Sequence, residues 1–177
     1  MSWSIQDLKS IILDMFNEAQ VELARAPLES IFQNQDFSRY HFTELERLID
    51  LHLDGISTEK DYFHLVITND LDVLNKEDEF KTACKANIMA FLRSIHCNTD
   101  LLAHAIYYSL GLNLNEKTKL NPKYLNFKKV KDKLSEINGS ESLIEALDKF
   151  TNHHNYTYLN GLVNHTKHRA NITSNLN

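Results

Sequence analysis

The chain has 177 residues, a net charge of −5, 42% hydrophobic residues and only four Gly and two Pro. That length suits one domain with an adequate core, and so little turn material argues against a sheet protein of many short strands. No apolar run is long enough to span a bilayer and no basic-then-apolar leader opens the sequence, so a cytoplasmic protein with reduced thiols and no membrane partner is expected.

The charge is unevenly divided. Residues 1–80 hold 17 Asp and Glu against 6 Lys and Arg, whereas residues 81–177 hold 7 against 13. A basic C-terminal half could face RNA. The simpler reading is attraction between two halves of one domain, or between subunits of a homodimer or of a complex with a protein partner.

In chain order, Ser4 to Asp7 has the form of a capping box. Ile5, Leu8, Ile12, Met15, Ala19 and Leu23 then keep helical spacing up to Pro27, where a stop or sharp bend is expected. Residues 28–33 read as a short helical piece and Asp36 to Arg39 as a turn. A further helix is expected from Thr43, with Glu46 completing a second box, to about Gly55. Its buried face would be Leu45, Leu48, Ile49 and Leu53. Ser57 and Thr58 are candidate caps for another helix carrying Phe63, Val66, Ile67 and Leu74, although that stretch also has strand propensity.

A long helix over about 77–112, opened by the acidic cluster Glu77 to Glu79, is the expected axis of the fold. Cys84, Ile88, Phe91, Leu92, Ile95, Leu102, Ile106 and Leu110 form its apolar stripe at 3.6-residue spacing. Beside it runs a polar stripe of Arg93, His96, Asp100, His104 and Tyr107. Ionisable groups on an enclosed helix need partners, because stripping water from a charge is costly. Cys84 and Cys97 lie about 20 Å apart along this helix and cannot bond to each other within it.

A polar loop is expected over 113–122, then a short helix with Phe127, Val130, Leu134 and Ile137 that Gly139 ends. Ser142 with Glu145 would cap the next helix, burying Leu143, Leu147 and Phe150. The last helix is expected over about 156–172. Leu159, Leu162, Val163, Thr166 and Ala170 should face inward, with Asn160, Asn164, Lys167 and Asn171 on one flank and Tyr158, His165 and Arg169 on the other. Gly161 in mid-helix points to a close helix–helix approach. Seven lysines between positions 117 and 133 form a basic run, usually a solvated helix face. The expected fold is therefore all-α: a single domain over 1–177, an antiparallel bundle of about seven helices around the long central one.

The polar residues support three kinds of function. His96, Asp100 and His104 recur at i+4, so adjacent members can share an ion, with His165 and His168 completing a shell from a facing helix. All three cannot bind one metal, since the outer two are about 12 Å apart. With no HExxH, no Glu-x-x-His and no zinc spacing, no metal and no cofactor is assigned. The structural reading is a buried polar network in which Lys167 or Arg169 reaches Asp100 and Asn164 satisfies nearby polar groups, making a non-enzymatic scaffold. The third reading is phosphate chemistry: a His as general base at a ribose hydroxyl, with Arg or Lys holding the phosphate.

The polar central helix RSIHCNTDLLAH, followed by the terminal helix YLNGLVNHTKHR, resembles divergent members of the HEPN superfamily of small bacterial helical bundles, over roughly residues 80–172. The resemblance implies an antiparallel, often dimeric bundle, frequently found in toxin–antitoxin or phage-defence settings. Active members are metal-independent endoribonucleases that use an Arg, a polar residue after it, and a His four to six positions on. This chain departs from that pattern. Arg169 is followed by Ala170 and no later His, and after Arg93 and Ser94 the next His, His96, comes too soon. Arg47 and His52 have the spacing, but Leu48 replaces the polar residue. The family's catalytic residues therefore do not carry over position by position. On the phosphate chemistry of the two polar helices, the catalytic candidates are Arg93, His96, Asp100, His104, His165 and Arg169, with Asn160, Asn164, Lys167 and His168 as candidates for binding substrate.

Overall fold

The computed structural model describes residues 4–56, 58, 61, 63 and 67–168. Among them all defined elements are helical: six α-helices and two short 3₁₀ turns. The first, α1 (Ile5–Met15), begins where the sequence predicts, with the Ser4 hydroxyl accepting from the Gln6 and Asp7 amides at 3.1 and 3.4 Å. It ends well short of Pro27. Asn17 takes an extended backbone and its Oδ1 accepts from the Gln20 amide at 2.9 Å, starting α2 (Glu18–Leu53).

Helix α2 then runs unbroken through Pro27. A proline in a helix interior costs about 3 kcal/mol. Here Pro27 is buried with Ala24 and Leu28, and burial along a 36-residue helix outweighs the missing backbone bond. The turn expected at Asp36 to Arg39 is helical as well, and these two residues pair across one turn at 3.3 Å. Thr43, expected to start a new helix, lies in mid-helix. Asp54 ends α2 and Gly55 turns away with φ 81°.

Helix α3 (Leu71–Ser109) is capped by Asp70, whose Oδ1 accepts from the Asp72 amide at 2.9 Å. It therefore starts before the acidic cluster at 77–79 and stops before 112. At 1.5 Å per residue, α2 and α3 are about 54 and 58 Å long. Gln20 meets Tyr108 and Asn113, His41 meets Asn87, and His52 meets Glu77. Positions rise along one helix as they fall along the other, so the two form a long antiparallel hairpin.

Gly111 has φ 63°, and a Cβ there would lie 2.5 Å from the Phe16 ring. Glycine alone lets that ring seat against the end of α3. The chain then passes through 3₁₀ turns at Leu112–Leu114 and Pro122–Tyr124 to α4 (Phe127–Leu134), α5 (Glu141–Asn152) and α6 (His154–His168). Ser140, rather than Ser142, precedes α5, and its hydroxyl donates to the Leu134 and Ile137 carbonyls at 2.6 and 2.8 Å.

The main core forms where the last third of α3 meets α4, α5 and the loop between: Ala103, Tyr107, Leu112, Leu125, Val130, Leu134 and Leu147. The Tyr107 hydroxyl accepts from the Leu120 amide at 2.8 Å, and the Thr118 hydroxyl donates to the Leu112 carbonyl at 2.7 Å, holding the loop over that core. Leu53, Leu110 and Phe150 are exposed rather than buried. A Cβ at Gly161 would meet nothing within 4 Å, so no helix approaches closely there. Among the described residues no helix is long and apolar enough to cross a membrane. The expectations for Ser57, Val66, Arg169, Ala170 and Asn171 lie outside the described residues.

Candidate functional site

The two polar helices that the sequence singles out do touch. Their link is His96, buried in α3, whose Nε2 lies 3.1 Å from Asn160 Oδ1 on α6. An amide oxygen only accepts, so Nε2 carries the proton. The other ring nitrogen, Nδ1, is buried with no partner among the described residues. Asn164 adds a second donor to the same Asn160 oxygen at 3.2 Å. Of the nine candidate residues among those described, the structure brings these three together.

The expected pairing of Asp100 with Lys167 is not found. Asp100 is exposed and has no ion pair among the described residues, and Arg169 lies outside them. The reason is angular: on α3, Asp100 and His104 sit close to Arg93 in projection, while His96 is rotated about 60° away toward α6. Arg93 is exposed, as are His165, Lys167 and His168 on the last turns of α6. Arg93 and His104 are separated by about 16 Å of helix rise, so they cannot serve one phosphate. His104 is half-buried. Burial holds its imidazole below the ordinary histidine value of 6.5, with the Asp100 carboxylate pulling the other way.

The Arg47 and His52 pair is also taken up structurally. Arg47 binds Glu44 at 2.7 and 2.8 Å. His52 stacks on Phe80 with ring centroids 3.7 Å apart, and its Nε2 lies 2.8 Å from Glu77 Oε1. That oxygen has no well-aligned donor among the described residues, so the contact is an ion pair when His52 is protonated rather than a good hydrogen bond. Much of the basic run is engaged locally too. Lys119, Lys131 and Lys133 pair with Glu116, Asp148 and Glu136, and Lys123 and Lys129 lie over the Tyr124 ring. Such exposed pairs contribute little stability. Among the described residues no group of three or more His, Cys, Asp or Glu side chains is placed to hold a metal ion. Cys84 is buried, which pushes its thiol up, and Cys97 is exposed.

Next to the His96–Asn160 contact lies a cavity of about 430 Å³ between α2, α3 and the α5–α6 corner. Its walls are apolar: Ile31 from α2, Ile95 and Leu102 from α3, and Phe150, Tyr156 and Leu159 from the corner. The Phe150 and Tyr156 rings are 5.0 Å apart at 45°. Its polar groups are the Asn98 and Thr99 side chains inside, with Gln35, His153 and Asn155 more exposed. Sequence reasoning missed this cavity. The available signal was the strip 95, 98, 99, 102, one helical face on which two polar residues interrupt apolar ones.

Comparison with protein-family models, with curated proteins and with solved structures gives no match in any of the three.

Proposed function

We propose that the protein is a HEPN-like helical bundle that binds single-stranded RNA along the seam between α3 and α6. What carries the reading is the contact of the two resembling helices through His96 and Asn160, flanked by the exposed cations Arg93 and Lys167. Cations of this kind supply the salt-dependent grip on a phosphate backbone, and histidine or aromatic faces supply stacking. Binding is favoured over cleavage. His96 is enclosed, and Arg93 is too far from His104 for both to act on one phosphate. In the same reading the helices make one antiparallel bundle, working in the cytoplasm as a homodimer in a defence or toxin–antitoxin setting.

The test is titration of an unstructured RNA octamer against the full chain and an Arg93→Ala, Lys167→Ala double variant at several salt concentrations. The double variant should bind more weakly, with a log–log salt slope shallower by about 1.4, at roughly 0.7 for each single-strand phosphate that is no longer neutralised. Equal affinity and slope would remove the reading.

A scaffold that holds a protein partner is the second reading. Its support is the far end of the hairpin, where Phe37, Tyr40 and Leu51 on α2 are more than half exposed. Large exposed apolar side chains that cluster mark interaction surfaces.

A further inference from the structure

We infer that the cavity between α2, α3 and the α5–α6 corner is a binding site for an uncharged planar heterocycle of nucleobase type. Its polar lining is the first reason. Asn98 Oδ1 is buried with no hydrogen-bond donor among the described residues. Thr99 is 6% exposed as a residue, and its hydroxyl, which makes no hydrogen bond among them, keeps some accessible surface. Buried polar groups are nearly always paired, and an unpaired one pays its full desolvation. Asn98 and Thr99 both line the cavity, so a ligand bearing an N–H donor and an acceptor would meet one buried oxygen that lacks a donor and one hydroxyl without a partner among the described residues.

The walls give the second reason. Among the described residues no Lys, Arg, Asp or Glu lines the cavity, so an ammonium would enter without a counter-charge and an anion would meet only the exposed His153. Flat aromatic faces at Phe150 and Tyr156, opposite branched aliphatic side chains, suit a ring system. The volume of about 430 Å³ falls within the usual span for small-molecule sites, about 300–1,000 Å³. The amides of Gln35 and Asn155 stand at the more exposed edge, where the hydrogen-bonding edge of a heterocycle would find both donors and acceptors. The ligand is either a free nucleoside or a base unstacked from RNA. Only the second depends on the RNA reading above, since the cavity argument uses neither His96 nor any cation.

The test is calorimetric titration of the full chain with adenosine, cytidine, guanosine and uridine, with the RNA octamer, and with ribose 5-phosphate as the baseless probe. At least one nucleoside should bind saturably and ribose 5-phosphate should not. Tyr156→Ala should weaken that binding about fivefold or more, the lower end of what loss of one stacking ring produces. Thr99→Val keeps the shape and removes the hydroxyl, so it carries the test if the alanine variant fails to fold. It should unfold at the same temperature or higher while binding more weakly. Nucleoside binding with no RNA binding supports the cavity and removes the RNA reading. RNA binding unaffected by either substitution, with no nucleoside bound, overturns the cavity and leaves the RNA reading. Silence toward both probes overturns both.

Discussion

The two ends of the α2–α3 hairpin use the same pair of helices and are held in different ways. At the end near Gln20 and Tyr108, further layers cover the pair: α1 packs on α2, and α4, α5 and α6 close around the last third of α3. Ala103, Tyr107 and Leu134 are almost wholly shielded there. At the other end, over α2 residues 30–53 and α3 residues 71–95, Cys84 is the one buried side chain among the described residues. Contacts there include isolated clasps: His41 Nδ1 to Asn87 Oδ1 at 2.9 Å, Phe42 beside Phe91 with ring centroids 6.0 Å apart, and His52 on Phe80. Two helices alone bury one stripe each and leave the rest of their surface in water. A third layer is what turns a stripe into a core.

The largest expected effect tests that contrast directly. Leu134→Ala should lower the unfolding free energy by about 2–5 kcal/mol, whereas Leu51→Ala, at 64% exposure, should change it by no more than about 0.5 kcal/mol. Urea unfolding measures both, and similar losses would erase the distinction. Next comes the clasp at the covered end. Gln20 donates to the Tyr108 carbonyl and to Asn113 Oδ1, and Asn113 donates back at 3.0 Å. Gln20→Ala leaves these groups unpaired and should cost about 1–3 kcal/mol in the same assay.

A smaller effect depends on pH. The folded chain holds His104 below its ordinary 6.5, so between the two values the unfolded chain binds a proton that the folded chain does not. Stability from this group is full above 6.5 and is lost as pH falls through that window. His104→Gln should flatten the dependence of melting temperature on pH below 6.5. An unchanged profile would mean another group sets it. The smallest effect is expected for Asp100→Asn, within about 0.5 kcal/mol because the carboxylate is exposed and makes no ion pair among the described residues. A loss of several kcal/mol would restore the buried network that the sequence suggests.

Much of the helical content is legible from residue order, and the errors have identifiable causes. Ser4 and Gly55 mark ends where expected, since capping and positive φ are local effects, whereas the helix expected to reach Gly139 stops at Leu134. Pro27 and the Asp36–Arg39 stretch mislead because local breakers lose to burial and pairing accumulated over a long helix. The cap at Asn17 is hidden because Gln20, whose backbone amide it accepts from, lies within an apolar pattern that continues past it. For the site, helical projection places His96 and Asn160 on facing helices, and that contact is present. Projection assigns Asp100 to the same seam only if the whole polar stripe is enclosed, and whether a stripe is enclosed depends on the width of its neighbours. The cavity needs three elements distant in sequence, with Ile31 and Gln35 from one and Phe150 and Tyr156 from another. No local pattern encodes that meeting.

The hairpin is clasped at both ends, by Gln20 with Asn113 and by His52 with Glu77, and this restricts how the molecule could lengthen. One residue inserted between the clasps of either arm would rotate everything beyond it by about 100° and advance it by about 1.5 Å. One clasp would then face the wrong way. Seven residues added to each arm bring the faces back to within about 20°. The arms therefore behave as a ruler graduated in sevens, and relatives of different reach should differ by matched heptads rather than by single residues.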